Sequence, residues 1–174
     1  SLIWNIKGAW SAHALQISSA RNARVHHNTF YDNDRALLVF ESNSSRGHRI
    51  TDNIFTKNRT AVERRVQNDV ADMTAADLAN NCMWWNGAVT WIMAYDGDHA
   101  QGNNHFVGFD HLNIEYAVGD PHLISTLPGH PDFLRPHPNT ACQTVLGHVG
   151  ALAPRRPEPS PAFDGRNLVV NPGF

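Results

Sequence analysis

Charge is scarce and nearly balanced in this 174-residue chain: 17% of residues are charged, and the net charge is −2 with histidine neutral. Binding of nucleic acid or another polyanion by the whole surface is therefore not expected. Long hydrophobic runs are missing as well. Stretches such as Ala36-Leu37-Leu38-Val39-Phe40 fall far short of the roughly 20 apolar residues that a membrane span needs, so no membrane partner is expected. Cysteine is nearly absent. Cys82 and Cys142 are the only two, which excludes a disulfide-rich scaffold. They pair if the tail folds over the third turn of the chain; buried free thiols are the expectation. The given sequence begins at Ser1 without an initiator Met or a signal-peptide pattern, so an excised or processed piece is the expectation. What is present is enough apolar material, 41% of residues, to exclude disorder and to build one domain with an appendage.

The chain repeats itself. Asn28-Thr29-Phe30-Tyr31-Asp32-Asn33, Asn53-Ile54-Phe55-Thr56-Lys57-Asn58, Asn81-Cys82-Met83-Trp84-Trp85-Asn86 and Asn104-His105-Phe106-Val107-Gly108 share an Asn, an apolar residue two places on and a polar turn. Their leading asparagines are 25, 28 and 23 residues apart. Eight residues past the first two come β-prone runs, Ala36-Leu37-Leu38-Val39-Phe40 and Ala61-Val62-Glu63-Arg64-Arg65-Val66, and Ala14-Leu15-Gln16-Ile17-Ser18 reads as the same strand one turn earlier. Leucine-rich repeats have this period, but the leucines they need are missing. A β-solenoid fits, with two or three short strands per turn joined by polar corners. At such a corner the backbone leaves the ladder and needs other partners. Asn tolerates left-handed backbone, and its amide both donates and accepts. Stacked one per turn, asparagines can bond to the copy above and below, and the apolar residue at +2 can stack inside the coil.

Val25-His26-His27-Asn28-Thr29-Phe30 and Ile50-Thr51-Asp52-Asn53-Ile54-Phe55 resemble the repeats of right-handed parallel β-helix proteins, the pectate-lyase-like superfamily of secreted polysaccharide lyases, glycoside hydrolases and epimerases. The resemblance covers roughly residues 1–120. It implies an all-β fold, a right-handed parallel β-helix with an irregular C-terminal closing segment, in a secreted or periplasmic protein. It does not specify one activity.

Residues 67–80 interrupt the rhythm. Thr74-Ala75-Ala76-Asp77 reads as a capping box opening a short helical corner, and residues 88–95 read as the next strand. Gly119-Asp120-Pro121-His122-Leu123-Ile124 and Asp132-Phe133-Leu134-Arg135-Pro136 resemble the tail that closes secreted β-helix proteins, where it would cover the last open turn. The division expected is β-helix turns and cap over 1–152, a Pro-rich linker over 153–166, and the start of a following β-sandwich module over 167–174. An N-terminal portion is expected to be missing. A partner chain of a homo-oligomer, or the protein's own preceding strand, would then cover the first turn near Leu2, Ile3 and Trp4.

The resemblance implies a polysaccharide partner, with lyase-type cleavage of an acidic polysaccharide as the leading activity. The alternatives are a non-catalytic glycan-binding or adhesion module, or a structural fragment whose active site lies in missing N-terminal turns. Lyases of this superfamily use a basic residue to remove a proton beside a uronic carboxylate, and its glycoside hydrolases use paired carboxylates. Glu63 and Arg65 are the candidate catalytic pair. If Val62 and Val66 face the core, alternation sends Glu63 and Arg65 outward beside Leu38 and Phe40. Arg64 then needs a bulge or a buried partner; it is grouped here with Trp84, Trp85 and Trp91 as substrate-binding. The tryptophans, with Tyr31 and Tyr95, suit a sugar-stacking platform, because flat rings match the C–H faces of sugars. Adjacent Trp84 and Trp85 cannot both point inward. No metal-ligand motif stands among the eleven histidines, and His26 and His27, on opposite strand faces, cannot readily share an ion. No cofactor is fixed by the sequence; Ca2+, which occurs in lyases of the resembled superfamily, is the candidate, with Asp32-Asn33-Asp34 and Asp96-Gly97-Asp98-His99 as oxygen-rich turns that turn chemistry alone also explains.

Overall fold

The computed structural model describes residues 1–8, 12–67, 73–95, 104–108, 116–117, 120–140, 142–143 and 147–155. These form an all-β structure in which parallel pairing dominates. One sheet has the order β1 (Leu2–Trp4), β4 (Thr29–Tyr31), β7 (Ile54–Thr56), β9 (Asn81–Trp84) and β12 (Tyr116–Ala117), parallel throughout. A second, of longer strands, has the order β11 (Asn104–Gly108), β10 (Ala88–Tyr95), β8 (Thr60–Gln67), β5 (Arg35–Glu41) and β2 (His13–Ile17). β3 (Arg24–His26) and β6 (Arg49–Thr51) pair by themselves. Apart from β10 with β11 and β9 with β12, strands that are partners in space are about one repeat apart in sequence, and parallel neighbours cannot be joined by a tight turn. The strands expected around 14–18, 36–40, 61–66 and 88–95 are β2, β5, β8 and β10.

Identical residues lie over one another where the repeat says they should. Phe30 and Phe55 are in register and their rings stack at 4.7 Å, 1° from parallel. The backbone N–H and side-chain amide of Asn28 both donate to Asn53 Oδ1, at 2.9 and 3.0 Å. Those of Asn53 donate to Asn81 Oδ1 at 3.1 and 3.0 Å. A second ladder, whose role the sequence reading missed, runs five residues on. Asn33 donates twice to Asn58 Oδ1 and Asn58 twice to Asn86 Oδ1, all within 3.1 Å. The spare amide hydrogens go to buried carbonyls, among them Val25 O and Phe30 O. Each ladder thus satisfies backbone groups that a corner removes from the sheet.

The left-handed backbone sits one residue earlier than expected. His27, Asp52 and Asn80 have φ of 51°, 59° and 58°; Asn5, Asp32, Lys57 and Trp85 have φ of 55°, 53°, 59° and 50°. The residue before each ladder Asn makes the turn, and the Asn itself serves through its amide. That also corrects the histidine reading. His27 lies past the end of β3, where alternation no longer applies, and its Nδ1 comes to 3.1 Å from His26 Nδ1.

Two segments depart from the repeat. The fourth copy, Asn104-His105-Phe106-Val107-Gly108, is β11, antiparallel to β10 with Tyr95 opposite Asn104. By Asn104 the chain has reversed, so this copy cannot extend the parallel ladder. β12 takes the place beside β9 instead. The capping box closes a 3-10 turn, Ala75–Leu78: the Asp77 carboxylate accepts the Thr74 N–H at 2.9 Å and its hydroxyl at 2.7 Å.

The tail also differs from expectation. Its described residues lie along the side of the strands, not only over the last of them. Cys142 forms a disulfide with Cys82 of β9, which corrects the expectation of free thiols. Val149, Ile54 and both cysteines make one buried cluster. Gly150 N–H donates to Asp52 O at 2.9 Å and Ala151 N–H to Thr29 Oγ1 at 3.1 Å. Gly150 has φ +87°, and a Cβ there would lie 2.6 Å from Ile54 Cδ1, so this approach requires glycine. Phe133 meets Trp4 edge-on at 4.8 Å, against the first tier. Of the expected linker only residues 153–155 are described; the rest of it, the expected following module, the Asp96-Gly97-Asp98-His99 turn and Tyr95's side chain lie outside the described residues.

Candidate functional site

Register decides which side chains share a face of the long sheet. Leu38 pairs with Glu63, and Phe40 with Arg65, so these four form the outer face as alternation requires. Val39 pairs with Arg64 and Glu41 with Val66; these point into the core. Glu41 and Arg64 are 0% and 2% exposed and form a bidentate pair, with Arg64 Nη2 donating to Glu41 Oε2 at 2.8 Å. Met73 N–H donates to the same oxygen at 3.0 Å. The sequence left Arg64 a bulge or a buried partner; the partner is Glu41. Enclosed and satisfied, Arg64 reaches no ligand, and its placement among the substrate-binding residues is corrected.

On the outer face, Glu63 is also fully buried. Arg65 Nε donates to its Oε1 at 2.8 Å, and His13 Nε2 donates to Oε2 at 3.1 Å. Arg35 Nε stands 3.3 Å from Oε2. Two hydrogen bonds and an ion pair hold this carboxylate, and its enclosure keeps it from reaching an incoming ligand. Glu63 thus fixes one edge of the Arg65 guanidinium. The Arg65 side chain is 21% exposed and its guanidinium carbon lies 5.5 Å from the Phe40 ring centroid. Among the described residues nothing accepts a hydrogen bond from its Nη1 or Nη2. Phe40 is one wall of a groove of about 350 Å3 lined by Gln16, Ser18, Ser42, Ser44 and Gln67. Arg65 is not itself part of that lining and adjoins it through Phe40; amides, hydroxyls, an aromatic edge and a nearby pinned guanidinium are groups that can recognise a sugar bearing an acid.

The tryptophans are elsewhere. Trp84 ends β9 and is half-buried; Trp85 follows it at a left-handed corner and is 72% exposed. Both line a second groove, of about 230 Å3, with Tyr31, Lys57, Asp120 and His122. Of Trp91 only its backbone position, opposite Glu63 in β10, is described. The proposed catalytic pair and the Trp84 and Trp85 platform therefore occupy different sheets. Lys57 was missed by the sequence reading. The signal that finds it is the period: Asp32, Lys57 and Trp85 occupy equivalent left-handed corner positions, and only the last two depart from the Asn or Asp that such backbone favours.

The Asp32-Asn33-Asp34 turn is engaged by the protein itself. Lys7 donates to Asp32 at 2.8 Å, Gly8 N–H donates to Asp34 at 2.9 Å, and Asn33 belongs to its ladder. Among the described residues no group of three or more His, Cys, Asp or Glu is placed to hold a metal ion, and no helix is long and apolar enough to cross a membrane. Compared with family models, with curated proteins and with solved structures, the chain matches none.

Proposed function

We propose that this chain is part of a secreted right-handed parallel β-helix that binds an acidic polysaccharide on the outer face of its long sheet, with Arg65 taking a sugar carboxylate. The coiled reading is supported by two asparagine ladders and by strands that pair about one repeat apart. The observation that carries the binding reading is the state of Arg65: one edge is fixed to a buried carboxylate, and the opposite edge has no described partner beside a groove of amides and hydroxyls. A guanidinium fork held in place loses little entropy on meeting a carboxylate. Secretion is supported by the Cys82 and Cys142 disulfide, since such bonds persist in oxidising compartments.

Binding is preferred to lyase-type cleavage. Cleavage requires a base next to the sugar. Glu63 is enclosed, and Arg65, a permanent cation, is further held as a donor by it. The test is a titration of the chain with pectate, alginate and chondroitin, run beside absorbance at the wavelength of an unsaturated product. Binding of at least one of them, weakened about tenfold or more by Arg65→Ala and with no absorbance rise, is the expected result. Turnover lost in Arg65→Ala would restore the lyase reading; affinity indifferent to Arg65→Ala would remove Arg65 from the site.

A further inference from the structure

The groove on the other sheet has the makings of a second sugar site. Corner backbone at φ near +50° disfavours a bulky side chain, and Asn or Gly is the ordinary occupant. Trp85 nevertheless sits there at φ 50°, 72% exposed. Lys57 occupies the equivalent corner one repeat earlier, at φ 59°. Its ammonium donates to Tyr31 Oη at 3.2 Å and lies 5.3 Å from the ring centroids of both Tyr31 and Trp85. No carboxylate neutralises it among the described residues: Asp32 is taken by Lys7 at 2.8 Å, and Asp120 accepts the His122 N–H at 2.8 Å. The tail forms the opposite wall, where Asp120, His122 and Thr126 bring a carboxylate, an imidazole and a hydroxyl.

We infer that this groove binds an acidic sugar, its pyranose face stacked on Trp85 and its carboxylate or sulfate at Lys57. The charge pattern selects this occupant. A single unneutralised cation beside a flat exposed ring calls for one anionic group on a ring-shaped ligand. Asp120 across the groove disfavours a dense polyanion and suits neutral hydroxyls. The inference shares the polysaccharide assignment proposed above but adds an independent site on a different sheet, so that one chain grips a glycan at two places and gains affinity by effective concentration.

The experiment is a fluorescence and calorimetric titration with pectate and with pectate whose carboxyls have been reduced to alcohols, at low and high salt. It compares the wild-type chain, Trp85→Asn, Lys57→Gln and Arg65→Ala. Trp85→Asn installs the residue the corner favours, so an equal or higher Tm certifies folding. With it, a loss of affinity of about tenfold is expected. Lys57→Gln should lose about as much, and should bind acidic and reduced pectate alike at this groove, without the salt sensitivity of the wild type. Unchanged affinity in Trp85→Asn, with Arg65→Ala still weakening, overturns this inference and leaves the Arg65 site standing. The reverse pattern keeps this groove and removes the Arg65 site. Equal wild-type affinity for acidic and reduced pectate overturns the anionic assignment, and absence of any binding overturns both sites.

Discussion

Arg64 and Arg65 are neighbours in β8 with opposite fates. Both meet a glutamate, and in both cases that glutamate is fully buried. Inside the sheet, Glu41 takes Arg64 bidentately and the pair is enclosed. Outside, Glu63 takes Arg65 by one nitrogen, and the side chain keeps 21% exposure. The lesson is that a buried carboxylate can either silence a cation or aim it. The difference lies in how many edges of the guanidinium it occupies. An interior pair has already paid the desolvation cost of both charges and gains nothing from a ligand. The outer pair has fixed its geometry while retaining donors.

The sharpest way to break this comparison is to remove the interior carboxylate. Glu41→Gln keeps the shape and leaves the Arg64 charge unpaired, so it should destabilise by about 3–5 kcal/mol, read from the denaturation midpoint. The double replacement Glu41→Leu with Arg64→Met should recover most of that loss, because apolar isosteres of a buried pair are often neutral or better. If the single substitution is mild, Arg64 has another outlet and the contrast with Arg65 is lost.

The asparagine ladders extend the contrast between enclosed and open positions. Asn53 is 0% exposed and bonded on both sides, accepting from Asn28 and donating to Asn81, Val25 O and Thr51 O. Asn28 stands at the end of the ladder, where Ser1's amino group donates to its Oδ1 at 3.0 Å in an exposed contact. Asn53→Ala orphans several buried groups and should cost about 3 kcal/mol, whereas Asn28→Ala should cost about 1 kcal/mol. Urea denaturation of the two variants decides it; equal losses would mean that burial does not set the value of a ladder position.

The sequence made the stacking legible because it is enforced by repetition: Phe30 must lie over Phe55, and Asn28 over Asn53, so the same residue returns at the same interval. The strand alternation that sends Glu63 and Arg65 outward was legible for the same reason. What was not legible is everything set by contacts between non-equivalent residues. Glu41 and Arg64 lie 23 residues apart in different strands, and no local pattern links them. The Cys82 and Cys142 pairing depends on the path of the tail, which repeats nothing. That residues 104–108 run antiparallel is not written in their motif, which looks like its parallel predecessors. Trp85 was read from the sequence as a sugar-stacking residue, but its corner partner Lys57 was hidden. They become visible as a pair only when the repeats are laid side by side and the corner column is read for its exceptions.

The outer arginine supplies a smaller effect on stability than Glu41 or Asn53, and the most informative one. Arg65→Ala removes one of three partners of Glu63, leaving His13 and Arg35. With the side chain partly exposed, the cost should be about 1–2 kcal/mol. Arg65→Lys keeps the charge but replaces the planar fork by a point cation on a flexible stem. One ammonium cannot both hold Glu63 at the present geometry and present two parallel donors to a ligand. Stability of Arg65→Lys should therefore lie within about 1 kcal/mol of the wild type, while pectate affinity falls nearly as far as in Arg65→Ala. Measuring both quantities on the same samples separates charge from geometry. If Arg65→Lys retains wild-type affinity, the outer cation works as an untargeted charge, and Glu63 aims nothing.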